Sequence, residues 1–254
     1  MSVNLDIVLL APAFVAGLLV VATHVPLGQR VLARGVVFLD LAVAQVASFG
    51  VIGADALGWE IGDWHAQFAA IVAALLAAAL LVWADRRWPE VQEALIGVLF
   101  VTAASAEFLV LANNPHGGEH VKDMLAGQIL WVTWDGLLPL AVVSAAILSI
   151  WICLRDRLGN FGFYALFALC VTQSVQFVGI YLVFATLILP ALAALCVPSH
   201  WSSRWALAVG YGMGAVGYGA GLAISALRDL PSGPSVVCVL VLIFLATALV
   251  RRFA

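Results

Sequence analysis

Charge is scarce in this sequence. Asp, Glu, Lys and Arg make up 10% of its 254 residues, against roughly a quarter in a soluble domain, and the mean hydropathy is +1.12. A chain so poor in charge does not suit a water-facing globular surface. Nucleotide and hydrolase signatures are missing as well: there is no GxxxxGK[ST], no GxSxG and no HExxH. These absences exclude a P-loop ATPase, an α/β-hydrolase and a zincin-type metalloprotease. The four cysteines, Cys153, Cys170, Cys196 and Cys238, show no CxxC spacing and read as small buried residues, not as a disulfide frame or metal site. No enzyme chemistry, bound cofactor or nucleic-acid partner is expected.

What the chain has in abundance is apolar run. Segments at 7–23, 35–56, 66–84, 92–112, 136–154, 161–176, 178–197, 204–226 and 234–250 are each close to the length needed to cross a hydrocarbon layer about 30 Å thick as a helix. Backbone polar groups in lipid must be satisfied internally, and unbroken apolar runs lack the alternation of a barrel. The expectation is an all-α, polytopic membrane protein of about eight to nine transmembrane helices, one domain over 1–254. The sixth and seventh segments are short and nearly continuous, so one bent span or two remains open. The N-terminus lacks a basic region and a small-residue cleavage site, so the first segment is expected to be a retained helix.

Basic residues orient the chain. With the N-terminus outside and the C-terminus in the cytoplasm, nine of the eleven basic residues fall inside, leaving Lys122 and Arg228 outside. Acidic residues gather on the opposite, outer face, which would attract cations. Residues 115–123, PHGGEHVKD, land there and carry His116, Glu119, His120 and Asp123 at i, i+3, i+4, i+7. On one helical face that set suits zinc, manganese or iron; interrupted by Gly117-Gly118, it is a solvated loop. Asp40 and Glu107 lie inside apolar segments, where an ionisable group costs at least about 2.5 kcal/mol. Asp40 is too short to snorkel and points to a functional or network role, whereas Glu107 is either functional or a snorkelling side chain. Pro190 interrupts the seventh segment, and broken helices often line substrate pathways. The glycines of the eighth segment (Gly210, Gly214 and Gly217 among them) have the spacing of close helix packing.

Four stretches together resemble the permease subunit of the metal-ion ABC importers, the zinc/manganese/iron uptake family. They are HVPLGQRVLARGVVFLDLAVAQVASFG (24–50), the block from Glu93 to Val132, VGIYLVFATLILPALAALC (178–196) and LRDLPSGPSVVCVLVLIF (227–244). The resemblance implies an ABC importer permease fold in a bacterial cytoplasmic (inner) membrane, paired with a second permease copy as a homodimer. It also implies a separate ATP-binding subunit below and an extracytoplasmic metal-binding protein above. The cargo would be a divalent cation, zinc first, then manganese or iron. Asp40 carries over as a metal or pathway residue. Its usual histidine partner does not, because Ala44 stands there, Leu39 replaces the glycine of the family pattern and Gln45 is the nearest polar neighbour, a pathway candidate with Glu107 and Pro190. His116, Glu119, His120 and Asp123 would then form an outer entry site. Arg155, Asp156, Arg157 and Gly159 occupy the place of the loop that couples to the ATPase. The rival from another class is a secondary transporter driven by a proton or ion gradient, with Asp40 and Glu107 as its relay.

Overall fold

The computed structural model describes residues 7–59, 64–112, 124–127, 129–155, 157–197 and 203–253. Among them are nine α-helices: α1 (Ile7–Arg34), α2 (Leu39–Ala56), α3 (Trp64–Arg87), α4 (Gln92–Leu111), α5 (Trp134–Leu154), α6 (Asn160–Val178), α7 (Ile180–Leu195), α8 (Ser203–Arg228) and α9 (Ser232–Phe253). Short 3₁₀ turns at Pro89–Val91 and Ile129–Trp131 precede α4 and α5. Eight of the helices are long and apolar enough to cross a membrane, and α7, at 16 residues, is the exception.

The first helix runs well past residue 23, through Pro26 to Arg34. A proline inside a helix leaves the carbonyl four residues earlier without its N–H, here that of Ala22. The Tyr211 hydroxyl on α8 donates to that oxygen at 3.4 Å, so the neighbouring helix supplies the missing donor. The second helix begins later than expected, at Leu39, because Gly35 at φ +73° takes the chain out of helix after Arg34.

Glycine sets the spacing around α8. A Cβ on Gly210 would lie 2.9 Å from Val25 Cγ1 and 3.1 Å from the Pro190 carbonyl oxygen, and one on Gly214 would lie 2.6 Å from Val21. On the other side, a Cβ on Gly221 would lie 2.5 Å from the Val236 backbone. Gly210 and Gly214 thus admit α1 and α7, and Gly221, with Gly217 against Leu240, admits α9. The packing role expected of this series holds, through close backbone approach where no hydrophobic force drives apolar helices together in lipid.

The sixth and seventh segments are two helices that reverse direction. Cys170 on α6 approaches His24 of α1, while Arg34 of α1 stacks over Phe163, so α6 runs antiparallel to α1. Gly17 of α1 packs on Tyr218, whose hydroxyl meets Thr186 of α7, while Val25 further along α1 shares Gly210 with Pro190, so α7 runs in the same sense as α1. The reversal occurs at one residue, Gly179, at φ +81°. The interruption expected at Pro190 therefore falls at Gly179, and Pro190 is buried within continuous helix.

Outward faces are apolar, with Phe68, Leu76, Phe108, Leu109, Leu138 and Leu242 all exposed. That is the surface a lipid solvent permits, since hydrocarbon imposes no penalty on leucine or phenylalanine. Cys153 and Cys238 belong to it too: both are exposed on α5 and α9, and only Cys170 is fully buried. The expectation that all four thiols are buried fails because lipid, unlike water, tolerates a small apolar group on the outer face.

Candidate functional site

The polar interior is organised along α2. Asp40 lies in the first turn of this helix at 1% exposure. Among the described residues, neither carboxylate oxygen has a hydrogen-bond partner. Its position at the helix N-terminus gives it the partial positive charge of the first-turn amides, and little else. An unpaired carboxylate in so apolar a place is costly. It sits at the end of the bundle where α1 terminates, next to the Gly35 turn.

Eight residues on, Ser48 shares the face of Asp40, with Ala44 between them at i+4. Ser48 Oγ donates to Glu107 Oε1 at 2.9 Å, and Gln45 Nε2 donates to Glu107 Oε2. Ser48 Oγ also lies 2.7 Å from Met124 Sδ, immediately after the 113–123 stretch. Glu107 is 3% exposed and turned into the α2–α4 contact, so snorkelling is excluded for it. Gln45, expected as a polar neighbour of Asp40 and a pathway candidate, pairs with Glu107. Ser48 and Met124 are missing from the sequence reading. The i, i+4, i+8 recurrence Asp40–Ala44–Ser48 was the available signal for the serine. For Met124 there was none, since its approach to Ser48 depends on how the chain returns after α4.

At the other end of the polar track, Asn160 joins three helices. Its amide Nδ2 donates to Asp85 Oδ2 on α3 at 2.7 Å, and its Oδ1 accepts from Arg34 Nη2 on α1 at 3.2 Å. The Arg34 guanidinium lies 4.3 Å from the centroid of the Phe163 ring and 5.6 Å from that of Tyr164. The Tyr164 hydroxyl accepts from Gln92 Nε2 of α4 at 2.6 Å. Arg155, Arg157 and Gly159 lie in the turn just before this knot, and Asp156 lies outside the described residues.

A separate buried pair joins α1 to α6: His24 Nδ1 bonds the Val20 carbonyl oxygen at 2.9 Å and lies 3.8 Å from Cys170 Sγ. His116, Glu119, His120 and Asp123 lie outside the described residues. Within those residues, no group of three or more His, Cys, Asp or Glu side chains gathers to hold a metal.

A bundle of apolar helices with Asp40, Gln45, Ser48 and Glu107 turned inward and Arg86, Arg87 and Arg155 exposed at helix ends defines a multi-pass membrane protein. Its fold is that of ABC permeases. It matches PsaBC from Streptococcus pneumoniae at a TM-score of 0.75, with 22% identity, covering 94% of this chain and 90% of that one. It matches a metal-chelate type ABC transporter, solved in an inward-facing conformation, at a TM-score of 0.69 with 17% identity, covering 96% and 88%. The chain belongs to the ABC 3 transport family, whose model matches residues 6–159 and 150–251. Relatives include an uncharacterized membrane protein of Synechocystis, 27% identical over 259 aligned positions covering 94% of this chain and 90% of its own. A second, from Haemophilus influenzae, is named "Probable iron transport system membrane protein" and is 24% identical over 228 positions, covering 82% and 77%.

Proposed function

We propose that the chain is the permease subunit of an ATP-driven importer of divalent metal ions, with zinc as first cargo and manganese or iron after it. The observation that carries this reading is Asp40: a buried carboxylate without a hydrogen-bond partner among the described residues, on the second helix of an ABC 3 family chain. A divalent cation in transit offsets the cost that the bare carboxylate carries. The basic ends of α1, α3 and α5 face the cytoplasm in this reading, and the ion enters from the end that holds the 115–123 stretch. His116, Glu119, His120 and Asp123 serve as its entry site, fed by an extracytoplasmic binding protein. Two copies of the chain line the path, with α7 and its Pro190 beside it. A separate ATPase docks on the turn that carries Arg155, Asp156, Arg157 and Gly159, and no covalent chemistry falls to this chain.

The Asn160 knot gives the coupling a physical route. Movement of the turn at 155–159 is carried by Asn160 into Arg34, and from there through the Gly35 turn to Asp40. Replacing Asn160 with Ala removes both bonds while leaving Arg34 stacked on Phe163. The expected outcome is an assembled complex that still hydrolyses ATP, with uptake per ATP lowered by about tenfold, the scale of a coupling free energy of roughly 1–3 kcal/mol. Parallel measurement of phosphate release and metal uptake checks it.

The reading itself is tested by radioactive zinc uptake into proteoliposomes holding this chain with its ATPase and binding protein. Uptake that requires ATP and is competed by manganese and iron supports the importer. Uptake driven by a proton gradient without an ATPase replaces it with the secondary transporter. The structure offers that rival little help, because Ala44 interrupts the polar face of α2 between Asp40 and the Glu107 cluster.

A further inference from the structure

Glu107 presents a problem that the transit role of Asp40 does not solve. Its carboxylate is buried in an apolar helix pair, and the two groups that bond it, Ser48 and Gln45, are both neutral. Neutral donors satisfy its hydrogen bonds and leave its charge uncompensated, at the cost an ionised group incurs in hydrocarbon. A helix–helix strut would be served as well by an amide.

We propose that Glu107, Ser48, Gln45 and Met124 form a second station for a divalent cation, about 12 Å along α2 from Asp40 (eight residues at helical rise). The donors are the two carboxylate oxygens, the serine hydroxyl, the methionine thioether and the Gln45 amide oxygen. That oxygen reaches the centre by a half-turn of the amide, which exchanges its O and N positions. Carboxylate and hydroxyl oxygens accept any divalent ion, and the thioether biases the set toward softer ones. A single carboxylate among neutral donors holds a cation weakly. That suits a station on a path, where the ion must leave as readily as it arrives.

The placement supports transfer. Ser48 and Asp40 lie on one side of α2 about two turns apart, with the small, buried Ala44 at the intervening i+4 position. Met124 is only partly buried, and it stands at the α4 end of the track, whereas Asp40 lies at the end where α1 terminates. An ion leaving Glu107 would thus find the next carboxylate two helical turns on.

The proposal rests on the importer reading only for the identity of its cargo, and its test is a binding measurement that needs no ATPase. Equilibrium dialysis of the purified full chain against cadmium, a soft divalent probe, counts bound ions per chain. Glu107→Gln keeps the shape of the side chain, exchanges one acceptor oxygen for a donor NH2 and removes the charge, and is expected to bind one equivalent fewer than the wild type. Met124→Leu is expected to weaken cadmium binding at that equivalent roughly tenfold while leaving manganese binding unchanged, because only the softer ion uses the sulfur. An unchanged cadmium count in a monodisperse Glu107→Gln protein overturns the station, and so does a Met124→Leu effect equal for cadmium and manganese. Should Glu107→Gln fail to fold, the cadmium-to-manganese ratio in Met124→Leu decides alone. Loss of an equivalent in a protein that shows no ATP-driven uptake would retain the station and remove the importer.

Discussion

Replacing Asp40 with Asn is expected to reduce ATP-driven metal uptake by about 100-fold, the upper range for disturbing a metal site, while the protein folds at least as well as the wild type. The two halves of this result have one cause. The wild-type carboxylate is buried and bonded to nothing among the described residues, so its charge costs stability in the resting protein and is useful only when a cation is beside it. Asparagine keeps the volume and removes the charge, which relieves the cost and abolishes the attraction. Zinc uptake in proteoliposomes and the melting temperature of the purified protein, measured side by side, check the two halves. Loss of both uptake and stability would mean that Asp40 is a structural residue with a partner. Retention of uptake would move the decisive site elsewhere, to the Glu107 cluster or to His116 and His120.

The second large effect lies at Gly179, where no charge is involved. Gly179 sits at φ +81° and forms the whole connection between α6 and α7. A Cβ there would lie 2.7 Å from the Ala126 carbonyl carbon and from Gly127 Cα. Gly127, itself at φ +73°, faces the carbonyl of Val178 equally closely. Two glycine backbones are therefore pressed together, and neither can retreat, because Ala126 also meets Gly233 at the start of α9. Gly179→Ala combines a backbone conformation (φ 81°, ψ 163°) essentially restricted to glycine, at about 1–3 kcal/mol, with a backbone clash of about 1–3 kcal/mol. The expected outcome is a loss of several °C in melting temperature and a sharp fall in the yield of monodisperse protein. Gly53→Ala, on α2 where a Cβ meets nothing within 4 Å, is the control and should be silent. Equal behaviour of the two variants would show that the α6–α7 reversal does not depend on this contact.

The junction also bears on function. Met124, which touches Ser48, is three residues from Gly127. The backbone contact that fixes the α6–α7 reversal thus also fixes the segment that brings the thioether to Glu107.

Much of the molecule follows from the order of its residues alone. Scarce charge and repeated apolar runs specify helices in lipid, because a backbone without water must bond to itself. The eighth segment's glycines announce close packing, because only a missing Cβ lets helices approach so far. Asp40 and Glu107 declare themselves as expensive groups that must have a reason to be where they are. These are local properties, written in composition and period.

The tertiary structure decided the rest, and in each case the reason is a contact between residues far apart in the chain. Whether residues 161–197 make one span or two depended on Gly127 meeting Gly179, some fifty positions later in sequence. Whether Pro26 would end the first helix depended on a hydroxyl from Tyr211. Glu107 could have reached for water or turned inward; Gln45 and Ser48 turned it inward. Asn160 reads in sequence as an ordinary residue after a basic turn, and only the fold places Arg34 on one side of it and Asp85 on the other. Periodicity tells which face of a helix is polar, but not which polar face it meets, because that choice is made by the packing of the whole bundle.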